Sequence, residues 1–285
     1  MKYIGVKEAA KKWNISDRRV RLMCSEGRIE GAIKLEWSWA IPEDTVKPTD
    51  GRSTRHMKNR YLRLGFIDLE KALELKEQFP YECIYLKSSL GQNLILNNTL
   101  YSLTNEDVKI DKDEILDILN HKINNKLSFD ETILLSNINA CYENMASLFS
   151  DFRENNFKAF LARLFQGTYY ESKYDADNEV ALQMEVLFSQ YEIEWKNLNP
   201  IYKAVLVFSE LERITPFEKF NKVVSVLVLN GLLISSGYYP LSLNAELDDE
   251  INATLTLIKR RGNYQDLALV VERALFKTYS ELQYV

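Results

Sequence analysis

Apolar residues recur three and four positions apart through most of residues 61–285, the spacing that puts them on one face of an α-helix. The spacing predicts nine helices, at 68–79, 112–123, 131–152, 156–165, 178–195, 201–214, 223–237, 247–261 and 265–282. The segment VVSVLVLNGLLI, which begins at Val223, is apolar nearly all round. We therefore expect it to be a central helix that the others surround.

The first 48 residues have a different pattern, which predicts two short helices and a β-hairpin. A first amphipathic helix would bury Val6, Ala9, Ala10 and Trp13. Ser16 is a suitable N-cap for a second helix, which would end at Gly27 and bury Val20, Met23 and Cys24. Apolar and polar side chains then alternate from Ile29 to Ile41, as in a hairpin that Pro42 closes.

This head resembles the winged helix-turn-helix DNA-binding modules of excisionases and MerR-like proteins. The resemblance rests on Ala9-Ala10, on a Ser-x-Arg-Arg-Val sequence from Ser16, and on a Trp-x-Ile-Pro sequence from Trp39. It implies that the second helix enters the major groove, where its first residues face bases and phosphates. The DNA-binding residues it implies are Ser16, Arg18, Arg19 and Arg21. Three lysines, Lys11, Lys12 and Lys34, are expected to lie along the sugar-phosphate backbone of the DNA. The expected wing tip, Glu36-Trp37, carries an acid that repels phosphate.

Charge is divided unevenly along the chain. Residues 1–63 hold 15 Lys and Arg against 8 Asp and Glu, a balance of +7, whereas the rest holds 21 against 33, a balance of −12. The basic head suits binding to a polyanion such as a nucleic acid, whereas the acidic body does not. Residues 49–62 are polar and basic, and we interpret them as a linker between domains at 1–48 and 63–285.

The remaining composition indicates a cytoplasmic protein. Three widely spaced cysteines, Cys24, Cys83 and Cys141, favour reduced thiols over a disulfide framework. The two histidines, His56 and His121, have no cysteine cluster near them, which argues against a zinc site. The first residues have no apolar signal region, and no apolar run reaches the length that crosses a membrane.

The body resembles the Fic family. The resemblance rests on Pro216-Phe217, Asn221, the buried helix, SSGYYPLSL from Ser235, and RRGNYQDLALVVERAL from Arg260. It covers residues 61–285 and implies an all-helical Fic fold with a short β-hairpin flap. Members of this family transfer AMP from ATP to a hydroxyl group on a target protein. Their motif is His-Pro-Phe-x-Asp/Glu-Gly-Asn-Gly-Arg-x-x-Arg.

This chain departs from the motif at each residue that carries chemistry. Thr215 replaces the histidine base, and it does not titrate near neutral pH. Lys219 replaces the acid that holds Mg²⁺, and its charge has the wrong sign. Phe220 and Lys222 replace glycines of a phosphate cradle, and Val223 and Val226 replace arginines that neutralise phosphate. The departures predict no AMP transfer, no metal site and no cofactor, whereas Pro216, Phe217 and Asn221 are expected to serve loop structure. Lys219 and Lys222 are expected at the surface.

Two other family elements have counterparts. The segment GQNLILNNTLYSL, from Gly91, resembles the family's inhibitory helix, with Leu96 where an inhibitory glutamate would stand. Residues 167–180 resemble the flap that positions a target, with Tyr169, Tyr170 and Tyr174 along a protein-binding edge. An ordinary polar connection explains these residues equally well.

The sequence thus predicts a mainly α protein, in which a winged helix-turn-helix precedes an all-helical Fic fold. We interpret it as a DNA-binding transcriptional regulator whose degenerate Fic domain mediates protein interaction or dimerisation. The alternative is a Fic-type protein adenylyltransferase with an altered active site, which would require ATP and Mg²⁺. A third possibility is that the head binds protein and the chain is the antitoxin-like partner of another protein.

Overall fold

The computed structural model describes residues 2–13, 15–25, 29, 31–35, 38–47, 67–103, 106, 110–122, 124–150, 152–170 and 178–283; the side chains of residues 19, 22, 178, 245, 260 and 261 are also outside the description. The chain divides into two compact units, Met1–His56 and Met57–Val285. The division falls within residues 49–62, the predicted linker, whose residues lie outside the described part.

The smaller unit contains two helices and a three-stranded sheet. Its elements are β1 (Tyr3–Gly5), α1 (Val6–Lys12), α2 (Asp17–Ser25), β2 (Ile33–Leu35) and β3 (Ser38–Pro42). The sheet is antiparallel, in the order β1-β3-β2. The predicted inward residues of both helices form the core with Ile29 and Ile41. The helices and the hairpin occur in the predicted order, and β1 is an additional strand that the pattern did not predict.

The regular elements among the described residues of the larger unit are all helices. Its helices are α3 (Leu69–Gln78), α4 (Ser89–Leu103), α5 (Lys112–Leu119), α6 (Phe129–Leu148), α7 (Glu154–Leu164), α8 (Asn178–Ser189), α9 (Pro200–Ile214), α10 (Asn221–Ser235), α11 (Ala245–Arg261) and α12 (Gln265–Leu282). A 3₁₀ turn, Cys83–Lys87, precedes α4, and a π turn, Gln190–Glu194, extends α8. All nine predicted helices are present.

Helix α10 lies at the centre of this unit, as its sequence predicts. Every residue from Lys222 to Ile234 is buried, and α4, α6 and α9 pack against the helix. Gly231 allows a close approach to α6, because a Cβ there would lie 2.1 Å from the ring of Phe149. Such overlap does not occur between well-packed side chains, so this position of α10 requires glycine.

Two buried asparagines hold the extended segment that follows α10. Asn98 on α4 donates to the Leu241 carbonyl oxygen at 2.8 Å and accepts from the Leu243 N–H group at 2.8 Å. Asn230 on α10 accepts from the Leu241 N–H group at 2.7 Å. These bonds satisfy backbone groups that would otherwise be buried without partners. The segment therefore has a fixed place beside α4.

Parts of the prediction lie outside the described residues. They are the wing tip, Glu36-Trp37, the helix end at Gly27, and Tyr174 with most of the predicted flap. No helix in the described part of the chain is long and apolar enough to cross a bilayer.

Candidate functional site

The loop between α9 and α10 contains the residues that resemble the family motif. Thr215 ends α9 and Phe220 begins α10, and both have a left-handed backbone, with φ of 46° and 63°. Such values are rare for residues with a Cβ and indicate that the surrounding structure imposes the loop shape. Thr215 is exposed, and its hydroxyl donates to the Ile214 carbonyl oxygen at 2.8 Å.

Asn221 holds this loop closed. Its side-chain oxygen accepts from the Phe217 N–H group at 2.9 Å, and its side-chain nitrogen donates to the Phe217 carbonyl oxygen at 2.6 Å. The amide thus pairs with one backbone residue as a second peptide group would. Pro216 and Phe217 are buried beside it. The environments of Pro216, Phe217 and Asn221 are therefore consistent with a structural role in the loop.

Phe220 fills the space beside the N-terminus of α10. Its side chain is only 1% exposed. The ring of Tyr170 packs edge-on against it with centroids 4.5 Å apart, and the ring of Phe165 lies 6.2 Å away. The backbone at this position has the shape a glycine would adopt, but aromatic side chains occupy the adjacent volume.

A carboxylate from the chain itself lies at the N-terminus of α10. Glu106, which follows α4, accepts a hydrogen bond from the Phe220 N–H group at 2.8 Å. Helix N-termini carry a partial positive charge and favour anions. Burial raises the pKa of the Tyr170 phenol, and the negative charges of Asp130, Glu131 and Glu106 raise it further. Three carboxylates therefore act on Tyr170, and one of them, Glu106, contacts the loop directly.

Lys222 is buried, which corrects the prediction that it lies at the surface. Its ammonium group donates to Asp248 on α11 at 2.6 Å and lies 4.0 Å from the ring centre of Tyr101 on α4. An ion pair and a cation–π contact compensate for the removal of the charge from water. Lys219 is exposed, as predicted.

A partly buried carboxyl group, that of Glu212, lies close to this ion pair. The Ser225 hydroxyl donates to Glu212 on α9. Burial raises the pKa of Glu212, and the hydrogen bond from Ser225 and the charges of Lys222 and Lys259 oppose the rise. Burial also raises the pKa of Tyr101, with the charges of Asp248 and Glu212 adding to the effect. This polar cluster links α4, α9, α10 and α11.

The remaining motif positions are apolar and inaccessible. Val223, Val226 and Leu96 are each 1% exposed and belong to the core. The donor set does not fit Mg²⁺, because Lys219 stands where the metal-holding acid would be. The described residues also contain no group of three or more His, Cys, Asp or Glu side chains placed to hold a metal.

The smaller unit presents most of its predicted DNA-binding residues to solvent. Ser16, Arg18 and Arg21 are exposed at the start of α2, and Lys11, Lys12 and Lys34 are exposed on α1 and β2. Arg18 and Arg21 are three positions apart and share a face, whereas Val20 and Met23 point into the core. The Lys12 ammonium donates to the Glu43 carbonyl oxygen. The side chain of Arg19 lies outside the described residues.

Sequence reasoning missed Glu106, Asp248, Tyr101 and Glu212, which contact the loop or its flanking helices. Only Tyr101 lies in a segment that the resemblance singled out, and it is not one of the defined positions there. Glu106 lies 114 residues from Phe220, and Asp248 and Tyr101 lie 26 and 121 residues from Lys222, which they contact. The sequence could have indicated the importance of Asn98 and Asn230. Each places an amide in an otherwise apolar helix, where a buried amide needs hydrogen-bond partners.

Neither protein-family models nor the sequences of curated proteins match this chain. Its fold is similar to that of a Fic domain-containing signalling protein from Bacteroides thetaiotaomicron, at 14% identity and a TM-score of 0.62, over 76% of this chain and 97% of that chain. It is also similar to Fic-1 (residues 134–508) from C. elegans, at 14% identity and a TM-score of 0.61, over 82% and 72%. A Fic family protein from Desulfovibrio desulfuricans G20 matches at 15% identity and a TM-score of 0.60, over 84% and 76%.

Proposed function

We propose that this chain, which contains a Fic fold, is a DNA-binding transcriptional regulator whose Fic-fold unit does not transfer AMP. In this proposal the smaller unit is a winged helix-turn-helix. The Fic-fold unit serves protein interaction or dimerisation.

The observation that carries the DNA-binding proposal is the pair of exposed guanidinium groups, Arg18 and Arg21, on one face of α2. The opposite face of α2 is buried against α1 and the sheet. A helix held in this way can present arginines to guanine edges and phosphates. The balance of +7 over residues 1–63 adds an attraction that does not depend on DNA sequence.

The case against AMP transfer starts from the contacts of the loop. Thr215 cannot act as a general base, and the Lys222 ammonium is already paired with Asp248. The Phe220 N–H group already donates its hydrogen bond to Glu106, and the negative charge of Glu106 opposes the approach of a nucleotide phosphate. The two valines provide no positive charge for a transferring phosphoryl group. Base, metal ligand and phosphate clamp are each replaced.

DNA selection tests the first part of the proposal. The full chain would be incubated with genomic fragments of its source organism, and the bound fragments sequenced. We expect enrichment of specific fragments that the double variant R18A/R21A loses. The matched control, K126A/K158A, removes two exposed lysines of the helical unit and should retain enrichment. Equal enrichment by R18A/R21A would exclude α2 as the DNA-contacting element.

Nucleotide measurements test the second part. Calorimetry with ATP and Mg²⁺ should give no saturable heat, and labelled ATP should transfer no label to proteins of a cell lysate. Tight ATP binding or transfer would favour the adenylyltransferase alternative. If the chain instead bound no DNA and retained one protein from a native lysate through residues 1–48, the head would be a protein-binding module.

A further inference from the structure

A polar groove of about 380 Å³ lies on the helical unit. Four elements form it: the first half of α4, the first residue of α5, the segment after α10, and the last turns of α12. Its lining residues are Leu90, Asn93, Leu94, Asn97, Lys112, Ser242, Asn244, Lys277 and Glu281. The volume is within the range of small-molecule sites, which begins at about 300 Å³.

The wall made by the segment after α10 is held in one conformation. The hydrogen bonds of Asn98 and Asn230 fix Leu241 and Leu243, and both leucines are buried. Because side chains alternate along an extended chain, Ser242 points away from the core and toward the groove. Asn97 donates from its side-chain nitrogen to the Ser242 hydroxyl at 3.2 Å. Polar atoms of two elements therefore have defined positions.

The charge of the groove differs from that of its surroundings. Lys112 and Lys277 are exposed, and neither forms an ion pair with any residue that the structure describes. With Glu281 the lining residues carry a formal balance of +1, whereas residues 64–285 together carry −12. Two ammonium groups in an acidic domain favour an anion at this place.

The uncharged lining residues indicate what else the ligand carries. Asn93, Asn97 and Asn244 can each donate and accept hydrogen bonds, and Ser242 can do the same. Such groups match hydroxyls, which also donate and accept. Leu90, which is partly exposed, contributes a small apolar surface that suits the CH face of a sugar ring, whereas Leu94 beneath it is buried.

We propose that this groove binds a small, hydroxyl-rich anion such as a sugar phosphate or sugar acid. Lys112 and Lys277 contact the anionic group, and the asparagines and Ser242 contact the hydroxyls. The proposal is independent of DNA binding and of the loop at α10. Under this proposal the larger unit binds a small-molecule ligand in addition to any protein partner.

Calorimetry on the full chain tests the proposal, with glucose 6-phosphate, gluconate and uncharged glucose as probes. We expect saturable binding of at least one anionic probe with a Kd of about 1 mM or below, and at least tenfold weaker binding of glucose. The variant K112A/K277A should weaken that binding at least tenfold. The control K126A/K158A should leave it unchanged.

A second variant separates the groove from a general charge effect. Asn97→Asp keeps the side-chain size but replaces a donor with a negative charge, so it should also weaken the anionic probe. Circular dichroism must show unchanged helix content for every variant. Absence of saturable binding by both anionic probes at about 10 mM, equal binding of glucose, or equal loss in K126A/K158A would overturn the proposal.

Discussion

The Glu106 carboxylate accepts a hydrogen bond from the backbone N–H group of Phe220 at 2.8 Å, across 114 residues of sequence. The bond joins the end of α4 to the N-terminus of the central helix α10. Helix N-termini attract anions, and here the chain supplies one itself. The same helix has no side-chain cap on its first residues, since its N-cap residue is Phe220. Glu106 therefore accepts from the backbone N–H group of the N-cap residue, as the third-position glutamate of a capping box does in other helices.

Replacing Glu106 with glutamine should destabilise the helical unit. Glutamine keeps an acceptor but removes the charge, so we expect a loss of about 1 kcal/mol in the free energy of unfolding. Urea denaturation followed by far-UV circular dichroism measures the difference.

Glu218 provides the matched control, because it is an exposed carboxylate in the same loop. Glu218→Gln should change the free energy of unfolding by less than about 0.5 kcal/mol. Equal effects of the two substitutions would mean that the Glu106 contact contributes nothing specific.

Asn98→Ala should cost about 3 kcal/mol, since it leaves the Leu241 carbonyl and the Leu243 N–H group buried without that partner. Asn120→Ala removes an exposed amide that bonds to the Leu116 carbonyl and should cost less than about 1 kcal/mol. Thermal unfolding of both variants provides the comparison. A tolerated Asn98→Ala would show that the segment after α10 does not depend on that amide.

The stability of the protein should carry a pH dependence from Glu212. Burial raises the pKa of this carboxyl in the folded state, so the folded state holds the proton more tightly than the unfolded state. Protonated Glu212 contributes its full stabilisation at pH values below the pKa it has in the unfolded state, near 4.5. This contribution to the free energy of unfolding is lost as pH rises through the pKa of Glu212 in the folded state. The difference in unfolding free energy between Glu212→Gln and the natural protein should therefore grow in favour of glutamine between pH 5 and pH 8, measured by urea denaturation at each pH. A pH-independent difference would contradict this assignment.

The three thiols should differ in reactivity. Cys83 is exposed, whereas Cys24 and Cys141 are buried. Burial raises the pKa of Cys141 to about 12, which leaves almost no thiolate at pH 8. Burial also raises the pKa of Cys24. A disulfide reagent at pH 8 should modify one thiol rapidly in the folded protein and three in denaturant, and loss of the fast phase in Cys83→Ser should identify it. A second fast thiol would indicate that one buried cysteine is accessible.

The helices could be predicted because burial of one helix face requires apolar residues to recur three and four positions apart in the sequence. The run from Val223 to Ile234 is apolar on nearly all sides, and it forms the buried centre of the larger unit. The strand Tyr3–Gly5 could not be predicted, because three residues are too few to show alternation and its pairing with Ser38–Pro42 is not local.

The site was less accessible to sequence reasoning, since its contacts depend on residues that are distant in the chain. A lysine at position 222 suggests a solvated surface, but Asp248 compensates its charge inside the protein. Phe220 stands where the family motif has glycine, and its backbone has the left-handed conformation that favours glycine, because Asn221 and the packing of Tyr170 hold the loop. Motif comparison identifies replaced residues but not what they contact.

The salt dependence of DNA binding tests the central claim most directly. The full chain and R18A/R21A would be titrated against a fluorescent duplex taken from the selected fragments, at several salt concentrations. Each phosphate-contacting cation contributes about 0.9 to the slope of log K against log salt, so loss of Arg18 and Arg21 should weaken binding and reduce the slope by about 1.8. Identical affinities and slopes for the two proteins would contradict the account.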